Sequence, residues 1–164
     1  DAGIEVQYST VDKIDPITKE EANNHYVELD SHGGVNTNSS MSQDFNVGAE
    51  QNYTLSFYYR SRTGVADTNG IEVSLGDFGN LFNPLLSLSI TTNTSTVWQQ
   101  YSYELGQLSI GSYKLGFHAI GKDDSYGGFI DNVSVAPVPE PATMLLFGTG
   151  LIGLAGARFR RKKK

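Results

Sequence analysis

The sequence predicts an all-β fold, an antiparallel jelly-roll β-sandwich, followed by one C-terminal hydrophobic helix with a basic tail. Three observations point there. Apolar residues recur at every second position in run after run. Glycine and asparagine turn dipeptides separate the runs. The stretch 1–136 shows almost no helical periodicity and is rich in Ser, Thr, Asn, Gly and Tyr.

The strands follow in chain order. Residues 3–8, 25–29 and 41–47 read as the first three. In the fourth, Tyr53, Leu55, Phe57 and Tyr59 alternate with Thr54, Ser56, Tyr58 and Arg60. Ile71, Val73 and Leu75 alternate with Glu72 and Ser74, and Leu86, Leu88 and Ile90 with Ser87 and Ser89. Val97, Gln99, Tyr101 and Tyr103 alternate with Trp98, Gln100 and Ser102. Tyr113, Leu115, Phe117 and Ala119 alternate with Lys114, Gly116 and His118, and residues 128–135 form the last strand. Asn69-Gly70, Gly33-Gly34, Gly79-Asn80 and Gly127-Gly128 supply turns. Only 15–23, with Pro16 and several acids, is suited to a helical turn or a loop. Half-polar alternation means that each sheet keeps one wet face. Packing the dry faces together gives the sandwich.

Charge divides the chain in two. Residues 1–136 hold six basic and seventeen acidic residues, a net charge of −11. Residues 137–164 hold six basic residues and one acid, a net charge of +5. An acidic body argues against nucleic acid and anionic lipid as partners. It suits life outside the cell and divalent cations. The absence of cysteine excludes disulfides, a thiol nucleophile and Cys-ligated metal sites. Asp1 is not an initiator, so the chain reads as a processed or truncated form lacking an export signal.

The tail has a different physics. Pro139, Glu140 and Pro141 make a stiff, extended stretch. Residues 142–159 then form an 18-residue run whose only charge is Arg158. As a helix it reaches about 27 Å, enough for a thin bilayer core. Arg158 can snorkel to the headgroups, and the closing Arg/Lys cluster stays cytoplasmic. A core helix would not end in Arg-Arg-Lys-Lys-Lys.

Val138-Pro139-Glu140-Pro141-Ala142-Thr143, the glycine-punctuated span and the basic end resemble the bacterial PEP-CTERM sorting signal. The resemblance covers 137–164. It implies recognition by an exosortase, a membrane-embedded transpeptidase-like enzyme, with Pro139, Glu140 and Pro141 as substrate residues. It also implies a Gram-negative bacterium, an inner-membrane helix before cleavage, and then a surface or secreted product associated with exopolysaccharide and biofilm.

The body, 1–136, carries its own resemblance. Gly3-Ile4-Glu5-Val6-Gln7, Asn24-His25-Tyr26-Val27-Glu28-Leu29-Asp30-Ser31, the strand from Tyr53 to Arg60, and Gly127-Gly128-Phe129-Ile130-Asp131-Asn132-Val133 resemble galactose-binding-like jelly rolls. Many of these are carbohydrate-binding modules. Such modules usually open with one more strand, so the resemblance implies a missing first strand and a gap in one sheet. It also implies a structural calcium held in part by Asp131. The companion glutamate of the opening strand is absent.

Sugar-binding faces stack pyranose rings on Trp or Tyr and flank them with polar side chains. Tyr58, Arg60, Trp98 and Tyr126 are the candidates. Tyr58 and Arg60 share a strand face opposite Leu55, Phe57 and Tyr59. Trp98 is out of phase with Val97, Tyr101 and Tyr103, although a sole Trp in a sandwich is more often core. Asp67-Thr-Asn-Gly-Ile-Glu72 looks like half a calcium loop but reads better as a hairpin turn. Glu28 and Asp30 would share a strand face, with no apolar signal to shift either acid. No serine-nucleophile elbow is present, and the histidines lack metal spacing. The expectation is a non-enzymatic surface or matrix protein. Its expected partners are an exosortase, an exopolysaccharide or cell-surface glycan, and the membrane before processing. The alternatives are a structural surface protein without a ligand, or a secreted hydrolase.

Overall fold

Nine strands build two sheets in the computed structural model, which describes residues 5–8, 24–30, 38–77, 85–91, 94–122 and 124–139. They are β1 (Glu5–Tyr8), β2 (His25–Glu28), β3 (Ser40–Val47), β4 (Gln51–Ser61), β5 (Gly70–Asp77), β6 (Leu86–Ile90), β7 (Gln99–Leu108), β8 (Gly111–Ile120) and β9 (Gly128–Pro137). One sheet runs β1-β2-β9-β4-β7, the other β3-β8-β5-β6. Every pairing among the described strands is antiparallel. Only β1–β2 and β5–β6 pair with their neighbour in sequence; the other successive strands change sheet. That alternation between layers is the jelly-roll pattern. The turn dipeptides at 33–34 and 79–80, the segment 15–23 and the apolar run 142–159 lie outside the described residues.

The alternation in the sequence becomes the division between core and solvent. Leu55, Phe57 and Tyr59 of β4 are buried, as are Ile71, Val73 and Leu75 of β5 and Leu115, Phe117 and Ala119 of β8. Phe57 joins the layers. Its ring stacks on Tyr101 at 5.5 Å within its own sheet and meets Phe117 of the other edge-on at 5.3 Å. Such offset and edge geometries suit the ring quadrupoles.

Two irregularities shape β4's neighbours. β7 bulges opposite Tyr53 and Thr54, where Gly106 takes φ +71° without a Cβ penalty. β9 bulges opposite the step from Ser56 to Tyr58, with Asn132 at φ +49°. β2 meets β9 only at Val27–Ile130 and Glu28–Phe129. From Asp131 onward no described strand lies on that side of β9.

The segment 67–72 is not a hairpin. Ala66–Thr68 forms a 3-10 turn that carries the chain from β4 in one sheet to β5 in the other. The Asn-Gly dipeptide misleads because Asn69 turns inward rather than capping a two-residue loop. It is fully buried, and its Oδ1 accepts from the N–H of Arg62 at 2.9 Å. β7 also begins two residues later than the alternation implies. Ser95 holds the preceding turn: its Oγ accepts from the N–H of Val97 at 3.2 Å, and its carbonyl accepts from the N–H of Ser61 at 2.8 Å.

Tyr59 gives a pH test of this core. Its hydroxyl donates to the carbonyl of Asn69. Burial pushes its ionisation well above the ordinary tyrosine range, and a hydrogen bond with Ser61 only partly offsets this. Below pH 10 both folded and unfolded chains hold the phenolic proton. Above it the unfolded chain releases the proton while the folded one keeps it, so stability falls as pH rises. This group alone should contribute a loss approaching about 1.4 kcal/mol per pH unit above pH 10. Denaturant midpoints from pH 8 to 11 should fall less steeply for Tyr59→Phe than for wild type. Equal slopes would show that Tyr59 does not carry the effect.

Candidate functional site

β4 ends at Ser61; Arg60 lies on the outer face of the five-stranded sheet, and Arg62 follows just past the strand end on the same side, against Glu28 and Tyr126. The register brings other strands to them. Phe129 of β9 pairs with Arg60, and Glu28 of β2 pairs with Phe129. Tyr26 lies two residues before Glu28 and shares its face. Tyr59 pairs with Gln99, so Trp98 arrives beside Arg60 from the start of β7.

The result is a cation among rings. The Arg60 guanidinium carbon lies 4.5 Å from the Phe129 centroid, 5.1 Å from Trp98 and 5.4 Å from Tyr26. Its Nη2 donates to the Tyr26 hydroxyl at 3.3 Å. Tyr26 meets Trp98 and Phe129 edge-on at 5.4 and 5.0 Å. A planar, weakly hydrated guanidinium suits such stacking better than an ammonium would. Arg62 extends the assembly. Its Nη1 lies 2.6 Å from Oε1 of the fully buried Glu28 and donates to the carbonyl of Ser125 at 2.9 Å. Its guanidinium carbon sits 5.2 Å from the Tyr126 centroid.

All four sequence candidates therefore meet on or beside one face. Arg60 differs from expectation in being 9% exposed: the rings cover it, so it orders the cluster from beneath. Trp98 is half-buried and belongs to this outer cluster, not to the core between the sheets. Tyr126 is 47% exposed and reaches the cluster through Arg62 and Glu28. Tyr58 is half-buried, between Asp131 of β9 and Gln100 of β7. Sequence reasoning missed Tyr26, Phe129 and Arg62 as members. The available signal was the Arg-x-Arg spacing at the end of β4, which sets two cations on one face.

Asp131 faces the same side at the bulge. It accepts from Nδ2 of Asn24, and its Oδ1 accepts from the N–H of Asn132 at 2.6 Å. Both oxygens thus have N–H donors. Among the described residues no three His, Cys, Asp or Glu side chains come together as a metal site. Glu28 and Asp30 are both buried, so neither is an accessible surface acid. Among the described residues two cavities lie away from this cluster. One of about 440 Å³ includes Asp67, Ile120 and Lys122, and one of about 140 Å³ includes Met41, Phe117 and Val133.

The cluster sets aromatic rings beside two arginines on the outer face of the five-stranded sheet. The solved structures similar to this chain include several carbohydrate-binding modules. A family 61 carbohydrate-binding module, TmCBM61 in complex with beta-1,4-galactotriose, has a TM-score of 0.56 at 19% identity, covering 82% of each chain. A family 4 module has a TM-score of 0.51 at 15% identity, covering 84% of this chain and 79% of its own. The isomalto-dextranase of Arthrobacter globiformis T6, complexed with panose, has a TM-score of 0.51 at 14% identity. The match covers 82% of this chain and 21% of that one. These likenesses establish the fold as a jelly roll. No curated protein matches the chain in sequence.

The tail has a match of its own: residues 137–162 are a PEP-CTERM protein-sorting motif. The motif begins where β9 ends. Pro137 pairs with Tyr53, and the N–H of Val138 donates to the carbonyl of Asn52 at 2.8 Å. Pro139 is exposed, while Glu140, Pro141 and the apolar run lie outside the described residues. No helix among the described residues is long and apolar enough to cross a membrane.

Proposed function

We propose that this chain is an exported bacterial surface or matrix protein, processed by an exosortase, whose jelly roll binds extracellular polysaccharide without catalysis. The observation that carries the binding role is the Arg60 cluster. It fixes Trp98 on the outer face, with Tyr126 beside it on Arg62. Pyranose rings present apolar C–H faces to such rings and hydroxyls to neighbouring donors and acceptors. Tyr58 and Gln100 supply polar groups on the same face. The sorting motif supports export, with the membrane and the exosortase as its first partners.

Affinity electrophoresis against a panel of galactans, glucans, mannans and bacterial exopolysaccharides tests the binding role. At least one polysaccharide should retard the wild type. Trp98→Ala and Tyr126→Ala should each weaken that binding by about tenfold or more, as loss of a central aromatic contact does. Unchanged retardation in both variants would remove this face as the site. No retardation by any polysaccharide would favour a structural surface protein. The sorting role has a separate test. Deletion of Pro139, Glu140 and Pro141 in the producing cell should leave an unprocessed, membrane-bound form. Unaltered processing would sink it.

A further inference from the structure

A bare sheet edge invites another strand, and three of the four edges among the described strands are guarded. β1 and β6 are short, at 4 and 5 residues, and β7 is broken by the bulge at Gly106. The fourth edge is β3. It pairs with β8 over 8 residues with no register shift, and no described strand lies on its other side. It contains no proline and no lysine. Its one charge, Asp44, lies 2.6 Å from Nζ of Lys114 on β8, so this edge is neutral in an acidic body. Long, flat, unguarded edges are the ones that pair with another chain.

The ladder fixes which backbone groups remain open. The N–H of Ala119 donates to the carbonyl of Ser39 at 2.9 Å, and the β3–β8 register continues unbroken from that pair. Hydrogen bonding alternates along an antiparallel pair, so Met41, Gln43, Phe45 and Val47 spend their N–H and C=O groups on β8. Ser40, Ser42, Asp44 and Asn46 aim theirs at the open edge. The side chains of these four stand on the outer face, and those of Met41, Gln43 and Phe45 on the inner one. The inner side is thinly covered: Met41 and Phe45 are half-buried and Gln43 is exposed. Met41 and Gln43 border the cavity of about 140 Å³, together with Phe117 and the 41%-exposed Val133.

This edge is complementary to itself. Turned about a two-fold axis through Gln43, Met41 meets Phe45 of the second copy, Ser42 meets Asp44 and Ser40 meets Asn46. Apolar side chains then face apolar ones on the inner side and polar face polar on the outer, while the open N–H and C=O groups of Ser42 and Asp44 answer each other. Neighbouring registers are worse. An axis through Asp44 sets the two aspartates face to face, and one through Ser42 leaves Phe45 opposite Ser39, beyond the strand. We propose that β3 is a homodimer interface, pairing antiparallel with β3 of a second copy about Gln43 and joining two four-stranded sheets into one of eight strands. Phe45 of the second copy lies beside Met41, at the border of the cavity. The axis stands perpendicular to the merged sheet, so both five-stranded sheets lie on the same side of it and both Arg60 clusters face one way. Two such faces would engage one polymer with a gain in avidity, but the pairing itself does not depend on glycan binding.

The chain has no cysteine, so a single introduced thiol reports its own neighbours. At the axis Gln43 faces Gln43 as a non-hydrogen-bonded pair, about 4.5 Å apart at Cα and within the span of a disulfide. Asn46 is three residues from the axis, about 20 Å from its equivalent in the second copy. In the full chain in detergent, Gln43→Cys should form a disulfide dimer on mild oxidation about tenfold or more faster than Asn46→Cys. Gln43→Lys changes an exposed side chain and should keep the wild-type Tm. It sets two ammonium groups at the axis, so it should raise the dimer dissociation constant about tenfold or more, by sedimentation equilibrium. Equal rates for Gln43→Cys and Asn46→Cys overturn the proposal, as does a dissociation constant that Gln43→Lys leaves unchanged. A wild type still monomeric at about 1 mM overturns it too. Slow exchange of the Ser42 and Asp44 N–H groups in that monomer would assign the edge to another part of the same chain.

Discussion

Gly127→Ala should destabilise the domain by about 4 kcal/mol or more, enough to leave much of it unfolded at ordinary temperature. A Cβ at Gly127 would fall on the carbonyl oxygen of Leu29, a backbone atom with no rotamer to escape into. Leu29 itself is in the core. Its N–H bond to Gly128 is part of the narrow seam between β2 and β9. Relief of the clash means moving β2 outward, and β1 is attached to the sheet through β2. Tyr26 and Glu28 would move with it, away from Arg60 and Arg62. The variant should therefore lose denaturant midpoint and, where still folded, polysaccharide retention together. A midpoint within about 1 kcal/mol of wild type would mean that the seam yields easily, contrary to the packing described.

Asn69→Ala should cost about 3 kcal/mol, from mechanism rather than volume. The side chain organises a loop that has little apolar content of its own. Oδ1 accepts from the N–H groups of Arg62 and Thr63, at 2.9 and 3.4 Å. Nδ2 donates to the carbonyl of Val65 and to Oγ1 of Thr63, each at 2.8 Å. Alanine takes the side-chain acceptor from the N–H groups of Arg62 and Thr63, and leaves the Val65 carbonyl and Oγ1 of Thr63 to the Thr68 hydroxyl. The loop also sets the path of Arg62, so the Glu28 pair should loosen. Thr68→Ala, whose hydroxyl bonds Val65 and Thr63 at the margin of the same network, should cost less than half as much. Chemical denaturation of the three proteins decides the order. Equal losses would show that Asn69 is not the centre of the loop.

The core was legible because its physics is local. Alternation in β4, β5 and β8 directly records which side chains face the opposite sheet, and Trp98 out of phase with its neighbours correctly marked an outer position. What stayed hidden depended on register between distant strands. Tyr26 and Phe129 are far apart in sequence, and nothing near either one announces that Arg60 will lie between them. Arg60 looked like a free surface cation because its strand position is polar; burial came from three rings delivered by three other segments. Asn69-Gly70 carried a hairpin signature, yet the amide turned inward and the chain changed layers. Asp30 lies beyond sequence reasoning altogether, since an unmatched carboxylate is defined by what fails to approach it.

β9 also has a mechanical consequence. Its first residues carry Phe129, against Arg60, and its last residue opens the sorting motif. On the proposed function, a polysaccharide held at one end and the cell envelope at the other would put this strand under tension along its own axis, over about 27 Å. It is an inner strand, joined to β4 by eight residue pairs. Pulled lengthwise, those pairs bear the load together in shear instead of parting one by one like a zipper. If the chain is attached as proposed, the strand that ends at the sorting motif is also the member best placed to resist that load.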